Sequence, residues 1–125
     1  MKQNTTPTIP VRIPVSFEDV SRVELIFKKE NSKKYPALLH KVFNKEDITI
    51  EQGTTDGYFI LQVPFTAEET MSFPAGEIYM DTLLVLEGEV IPETNIITLN
   101  VRETLFEEVY QGDRNNVEGA GSTLY

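Results

Sequence analysis

The chain has 125 residues, 40% hydrophobic and 25% charged, with a formal net charge of −9. That size and balance fit one globular domain rather than a disordered segment. It has no cysteine and a single histidine, so disulfide frameworks, thiolate metal sites and thiol nucleophiles are excluded, and the common zinc sets are out of reach. The acidic balance argues against a nucleic-acid partner, since phosphate neutralisation needs a basic surface.

Alternation dominates the pattern. Ile9, Val11, Ile13 and Val15 face one way, against Pro10, Arg12 and Pro14. The period of two is that of a strand, and its prolines lack the donor an inner strand needs, so residues 9–15 belong at a sheet edge. Val23, Leu25 and Phe27 repeat the pattern with Glu24 and Lys28 outward, residues 31–34 form a polar turn, and residues 38–43 form a further strand. Ile48 and Ile50 alternate with Thr49 and Glu51; residues 52–57 are rich in Gly, Thr and Asp and read as a turn. Phe59, Leu61 and Val63 then alternate with Tyr58, Ile60 and Gln62.

Residues 65–86 form one unit of helix, turn and strand. Thr66 is placed to cap a short helix, with Glu69 three residues on to complete a capping box. Pro74 stops the helix and Gly76 frees the backbone to enter a long strand. On that strand Ile78, Met80, Thr82, Leu84 and Leu86 share one face, while Asp81 lies outward with Tyr79, Leu83 and Val85. That outward face is unusually apolar and calls for cover by another strand, loop or chain. Glu87-Gly88-Glu89 is a turn signal, and Ile97, Leu99 and Val101 form the last clear inward face. Residues 104–110 suit a last strand or a short helix, and the glycine-bearing residues 111–125 read as a flexible tail ending in Leu124-Tyr125. About seven short strands separated by turns predict an all-β antiparallel sandwich over residues 1–110, with helix confined to Thr66–Phe73. The expected core is Leu25, Phe27, Phe59, Leu61, Met80, Leu84, Leu99 and Val101.

No constellation carries chemistry. His40 has neither a nucleophile nor an orienting acid near it in sequence and reads as a solvated strand residue. Glu68 and Glu69 suit a helix N-terminus; with Asp81, Glu87 and Glu89 they lack the spacing of a calcium loop. The five tyrosines, Tyr35, Tyr58, Tyr79, Tyr110 and Tyr125, fall on different elements, a weak basis for sugar stacking. Asn4-Thr5-Thr6 matches a glycosylation sequon. Lys28, Lys29, Lys33, Lys34, Lys41 and Lys45 cluster early, while Arg102 is the only basic residue between Glu46 and Glu103. The cluster reads as a lysine-rich solvated hairpin; the alternative is a pair of complementary faces in an assembly. No catalytic, cofactor-binding or metal-binding residue is assigned. No segment has the pattern of a signal peptide or a membrane span.

Two segments carry a resemblance: Thr5-Thr6-Pro7-Thr8-Ile9 leading to Val23-Glu24-Leu25-Ile26-Phe27-Lys28, and Phe65-Thr66-Ala67-Glu68-Glu69-Thr70-Met71-Ser72-Phe73 leading through Ala75-Gly76 to a strand and to Val101-Arg102-Glu103-Thr104-Leu105. Over residues 5–109 the chain resembles a family of small phage and prophage proteins of Gram-positive bacteria. It departs from their pattern at Phe65, Ala67 and Asp81. The resemblance implies an immunoglobulin-like sandwich and a non-enzymatic virion structural protein, tail- or baseplate-associated. Its expected partners are other virion or tail proteins or further copies of itself, and its expected location is the virion or the host cytoplasm during assembly. The alternative is a binding module for carbohydrate or a host surface. An enzyme is the weakest of the three readings.

Overall fold

The computed structural model describes residues 1–50, 57–92 and 96–110. The alternating segments become strands: β1 Thr8–Ile13, β2 Val20–Lys28, β3 Leu39–Asn44, β4 Phe59–Pro64, β5 Gly76–Leu86, β6 Glu89–Pro92 and β7 Ile97–Val101, with helix α1 Ala67–Met71 between β4 and β5. β1 pairs antiparallel with β4 from Thr8↔Pro64 to Ile13↔Phe59. Opposite lies a larger antiparallel sheet of order β3-β2-β5-β6, with β7 also on β5.

β5 is the spine of the larger sheet. β2 runs along one side of it, while β6 takes residues 83–86 and β7 residues 76–80 on the other. Between Leu83↔Pro92 and Met80↔Ile97, β5 advances three residues and its partner five. The two extra residues keep side-chain alternation in phase, because an even insertion does not swap faces. β6 and β7 thus act as one interrupted edge strand. A second irregularity in β2, between Val20 and Arg22, is odd-numbered, and it lets both Val20 and Val23 point inward.

The two sheets bury one core. β1 and β4 contribute Val11, Ile13, Phe59, Leu61 and Val63; the larger sheet contributes Val23, Leu25, Phe27, Phe43, Ile78, Met80, Leu84 and Val101. At one end Phe27, Phe65 and Phe73 pack as a three-ring cluster with centroids 5.5–6.1 Å apart, within the range where tilted and edge-to-face pairs are favourable. The capping box that starts α1 is complete: Glu69 N donates to Thr66 Oγ1 at 3.1 Å and Thr66 N donates to Glu69 Oε1 at 2.9 Å. Gly76 takes φ +109°, a conformation L side chains rarely adopt, and so turns the chain from helix to strand.

Several expectations need correction. Leu99 is only partly buried and Ile97 is exposed, because β7 is an edge with neighbours on one side only. Residues 48–50 make a single bridge, Ile50↔Leu61, after a 3-10 turn at Lys45–Asp47. The seventh strand is β6, which lies where only a turn was expected. Its inward position holds just Ile91, too short a pattern to show alternation. Helix is not confined to Thr66–Phe73, since two single 3-10 turns, Phe17–Asp19 and Lys45–Asp47, lead into and out of strands. Residues 104–110 are neither strand nor helix. β1 ends at Ile13, and Pro10 lies on a strand whose only partner among the described residues is β4. The expected turn at residues 52–56, the tail at 111–125 and the Leu124-Tyr125 end lie outside the described residues.

Candidate functional site

The outward face of the larger sheet gathers most of the side chains the sequence singled out. Register places Val42, Glu24 and Leu83 in one row across β3, β2 and β5, and His40, Ile26 and Asp81 in the next. His40 is exposed and its Nε2 lies 2.8 Å from Glu24 Oε1; Arg22 Nε donates to Glu24 Oε2 at 2.8 Å. The hydrogen bond from His40 holds the Glu24 carboxyl below its ordinary value near 4.5, against the opposing effect of burial, and Arg22 adds to the lowering. His40 therefore has an acid partner, and with Arg22 and Glu24 it forms a hydrogen-bonded surface cluster. Leu83 and Val85 are half-buried by their cross-strand neighbours. No layer among the described residues covers them.

The same face holds a concavity of about 350 Å³ between the β2–β3 connection and β5. Ile26, Tyr79 and Ile96 supply its apolar surface, and Lys28, Glu30, Lys33 and Asp81 its charges. The other tyrosines lie elsewhere: Tyr35 is exposed in the β2–β3 connection, Tyr58 stacks on the Arg12 guanidinium at 4.6 Å, and Tyr110 sits near the N-terminal segment; Tyr125 lies outside the described residues. Among the described residues no group of three His, Cys, Asp or Glu side chains could hold a metal ion. Glu69, besides closing the capping box, accepts from Lys41 Nζ at 2.9 Å, so it is committed to structure.

A second arrangement escaped sequence reasoning. Residues 1–7 run across one end of the sandwich, between α1 and the segment after β7. Lys2 bridges Arg102 in parallel, with Arg102 N donating to Met1 O at 2.8 Å and Gln3 N to Arg102 O at 2.9 Å. Gln3 Nε2 donates to Phe73 O at 2.7 Å, and Thr5 N donates to the buried Thr70 Oγ1 at 3.1 Å. Asn4, at φ +63°, turns its side-chain amide onto a neighbouring stretch of backbone. Nδ2 donates to Glu108 O at 2.9 Å and Oδ1 accepts from Tyr110 N at 2.7 Å. The amide thus offers the donor and acceptor that a paired strand would offer. The sequon drew attention to Asn4, but its amide is engaged in this clasp. Beyond the sandwich the clasped segment carries Leu105, 95% exposed, and Phe106, 73% exposed.

Among the described residues no helix is long and apolar enough to cross a membrane. Comparison with models of known protein families and with curated proteins gives no match.

Proposed function

We propose that this chain is a non-enzymatic structural protein of a phage or prophage, tail- or baseplate-associated, acting through protein–protein contacts on an immunoglobulin-like sandwich. The observation that carries the contact reading is the clasped segment. A leucine and a phenylalanine side by side, both largely exposed, sit on a backbone held by Asn4, which donates to Glu108 O and accepts from Tyr110 N, and by Gln3, which accepts from Thr104 N, rather than by burial. Ordering the backbone in advance lowers the entropy cost of binding, and exposed aromatic and aliphatic anchors are the side chains that dominate protein interfaces. The sequence resemblance supplies the setting. The sandwich topology is in keeping with it, since four strand positions face β1, β4 and the bridge at Ile50.

The test is co-purification with phage tail and baseplate proteins, should any be encoded beside this chain. The wild type is expected to capture a tail or baseplate component, and Leu105→Ser with Phe106→Ser to lose at least about tenfold in affinity, as removal of two interface anchors implies. Capture of no such protein, or equal capture by the double variant, overturns the reading. A second reading, a carbohydrate-binding module, is favoured by one observation: Tyr79 lines a concavity that also holds Asp81 and Lys28. Glycan binding that Tyr79→Ala abolishes would establish it.

A further inference from the structure

The larger sheet is electrically polarised along its strands. Val20 pairs with Leu86 and Arg22 with Asn44, so the start of β2, the end of β3 and the β5–β6 turn share one end. That end exposes Glu18, Asp19, Glu46, Glu87 and Glu89. Its one nearby lysine, Lys45, is turned onto Glu18 O at 2.9 Å and the Phe17 ring. None of these five carboxylates is ion-paired among the described residues. At the opposite end the β2–β3 connection carries Lys28, Lys29, Lys33 and Lys34 against Glu30 alone, with Glu77 beside it. Lys28 and Lys29 lean on the carbonyls of Ser32 and Glu77. Lys33 and Lys34 are exposed and make no ion pair among the described residues. The rest of that end is mixed in sign, with Lys2 and Arg102 on the N-terminal and post-β7 segments alongside the exposed Glu68, Glu103, Glu107 and Glu108, so the basic patch is the connection itself.

β2 has nine residues, which separates the two patches by roughly 30 Å at ~3.3 Å per residue. That is several times the ~8–10 Å screening length of physiological salt, so the patches do not neutralise each other within one molecule. Each leaves unpaired charge that a complementary surface can pair. The chain supplies such a surface itself, at the other end of another copy. We propose that this protein binds a second copy head to tail, the lysine-bearing β2–β3 connection of one molecule against the acidic β5–β6 end of the next. Such an interface uses two different patches, so it does not saturate at a dimer but propagates into a ring or a filament. The inference goes beyond the proposed role, because it depends on charge placement and not on which tail protein is contacted.

The experiment is sedimentation of the full chain at low and high salt, with two charge-reversed variants. Wild type is expected to grow beyond dimer with concentration in ~50 mM NaCl and to weaken at least about tenfold in ~500 mM. Lys33→Glu with Lys34→Glu makes both ends acidic; Glu46→Lys with Glu87→Lys and Glu89→Lys leaves only Glu18 and Asp19 acidic at the other end and makes both ends basic. Each variant alone should lose self-association, and mixing the two should restore a complex, because the reversals are on exposed residues and leave both folds intact. A wild type that stays monomeric, a mass that stops at dimer, or a mixture that stays monomeric overturns the proposal. Retained capture of tail proteins by a monomeric wild type would remove the head-to-tail contact and leave the assembly role standing.

Discussion

Thr70 offers a sharp test of how the N-terminal segment is held. It is fully buried, and its hydroxyl accepts from Thr5 N at 3.1 Å while lying 2.9 Å from Thr5 O and 3.2 Å from Ala67 O. One hydroxyl proton serves one of those two carbonyls at a time. Thr70→Val keeps the shape and removes the acceptor and donor, leaving Thr5 N–H and C=O without their partner. A polar group left unsatisfied in a partly buried site costs about 1–3 kcal/mol, so we expect about 2 kcal/mol. With an unfolding entropy of ~2.1 cal/mol/K per residue over a chain of this size, that lowers Tm by about 8 °C. The control is the same substitution in a chain lacking residues 1–5, where Thr5 is absent and Ala67 O is the only lost partner; there the cost should fall below about 1 kcal/mol. Urea unfolding of the four proteins gives the coupling directly. Equal costs in the long and short chains would refute the account, since the hydroxyl would then matter only within α1.

Phe27, buried at the centre of the three-ring cluster, should cost about 3–5 kcal/mol as Phe27→Ala, whereas the exposed Lys33→Ala should cost under about 0.5 kcal/mol; similar values in denaturant unfolding would contradict the assigned register. Gly76→Ala should destabilise by about 1–2 kcal/mol through its positive φ alone, because the added methyl would meet nothing nearer than Lys29 Nζ at 3.5 Å; a neutral effect in thermal melts would mean the helix-to-strand turn has another conformation. Glu24 has a folded pKa below its ordinary value, so its contribution is fully present above about pH 4.5 and is lost as pH falls through the lowered folded value. The stability gap between wild type and Glu24→Gln should therefore close as the pH falls below about 4.5. A gap that widens as pH falls would show the opposite sign of shift.

The strands with strong alternation were legible from the sequence alone, and so was the capped helix. Ile78, Met80, Thr82 and Leu84 on β5, or Val23, Leu25 and Phe27 on β2, fix strand, face and core together, because a period of two admits one buried side. Thr66 and Glu69 define a helix start through bonds only three residues apart. What failed had no local signature. β6 has a single inward side chain, and it is a strand because β5 presents an open edge beside it. Leu99 looked like core, but its burial depends on what lies beyond the edge. Only the tertiary structure brought Asn4 to Glu108 and Tyr110, more than a hundred residues apart, and Thr5 to Thr70. The charges could be counted in the sequence, but strand pairing decided that Glu18, Glu46 and Glu87 share one end while Lys33 and Lys34 sit at the other. A single chain order does not tell which loops meet; hydrogen-bonded register does.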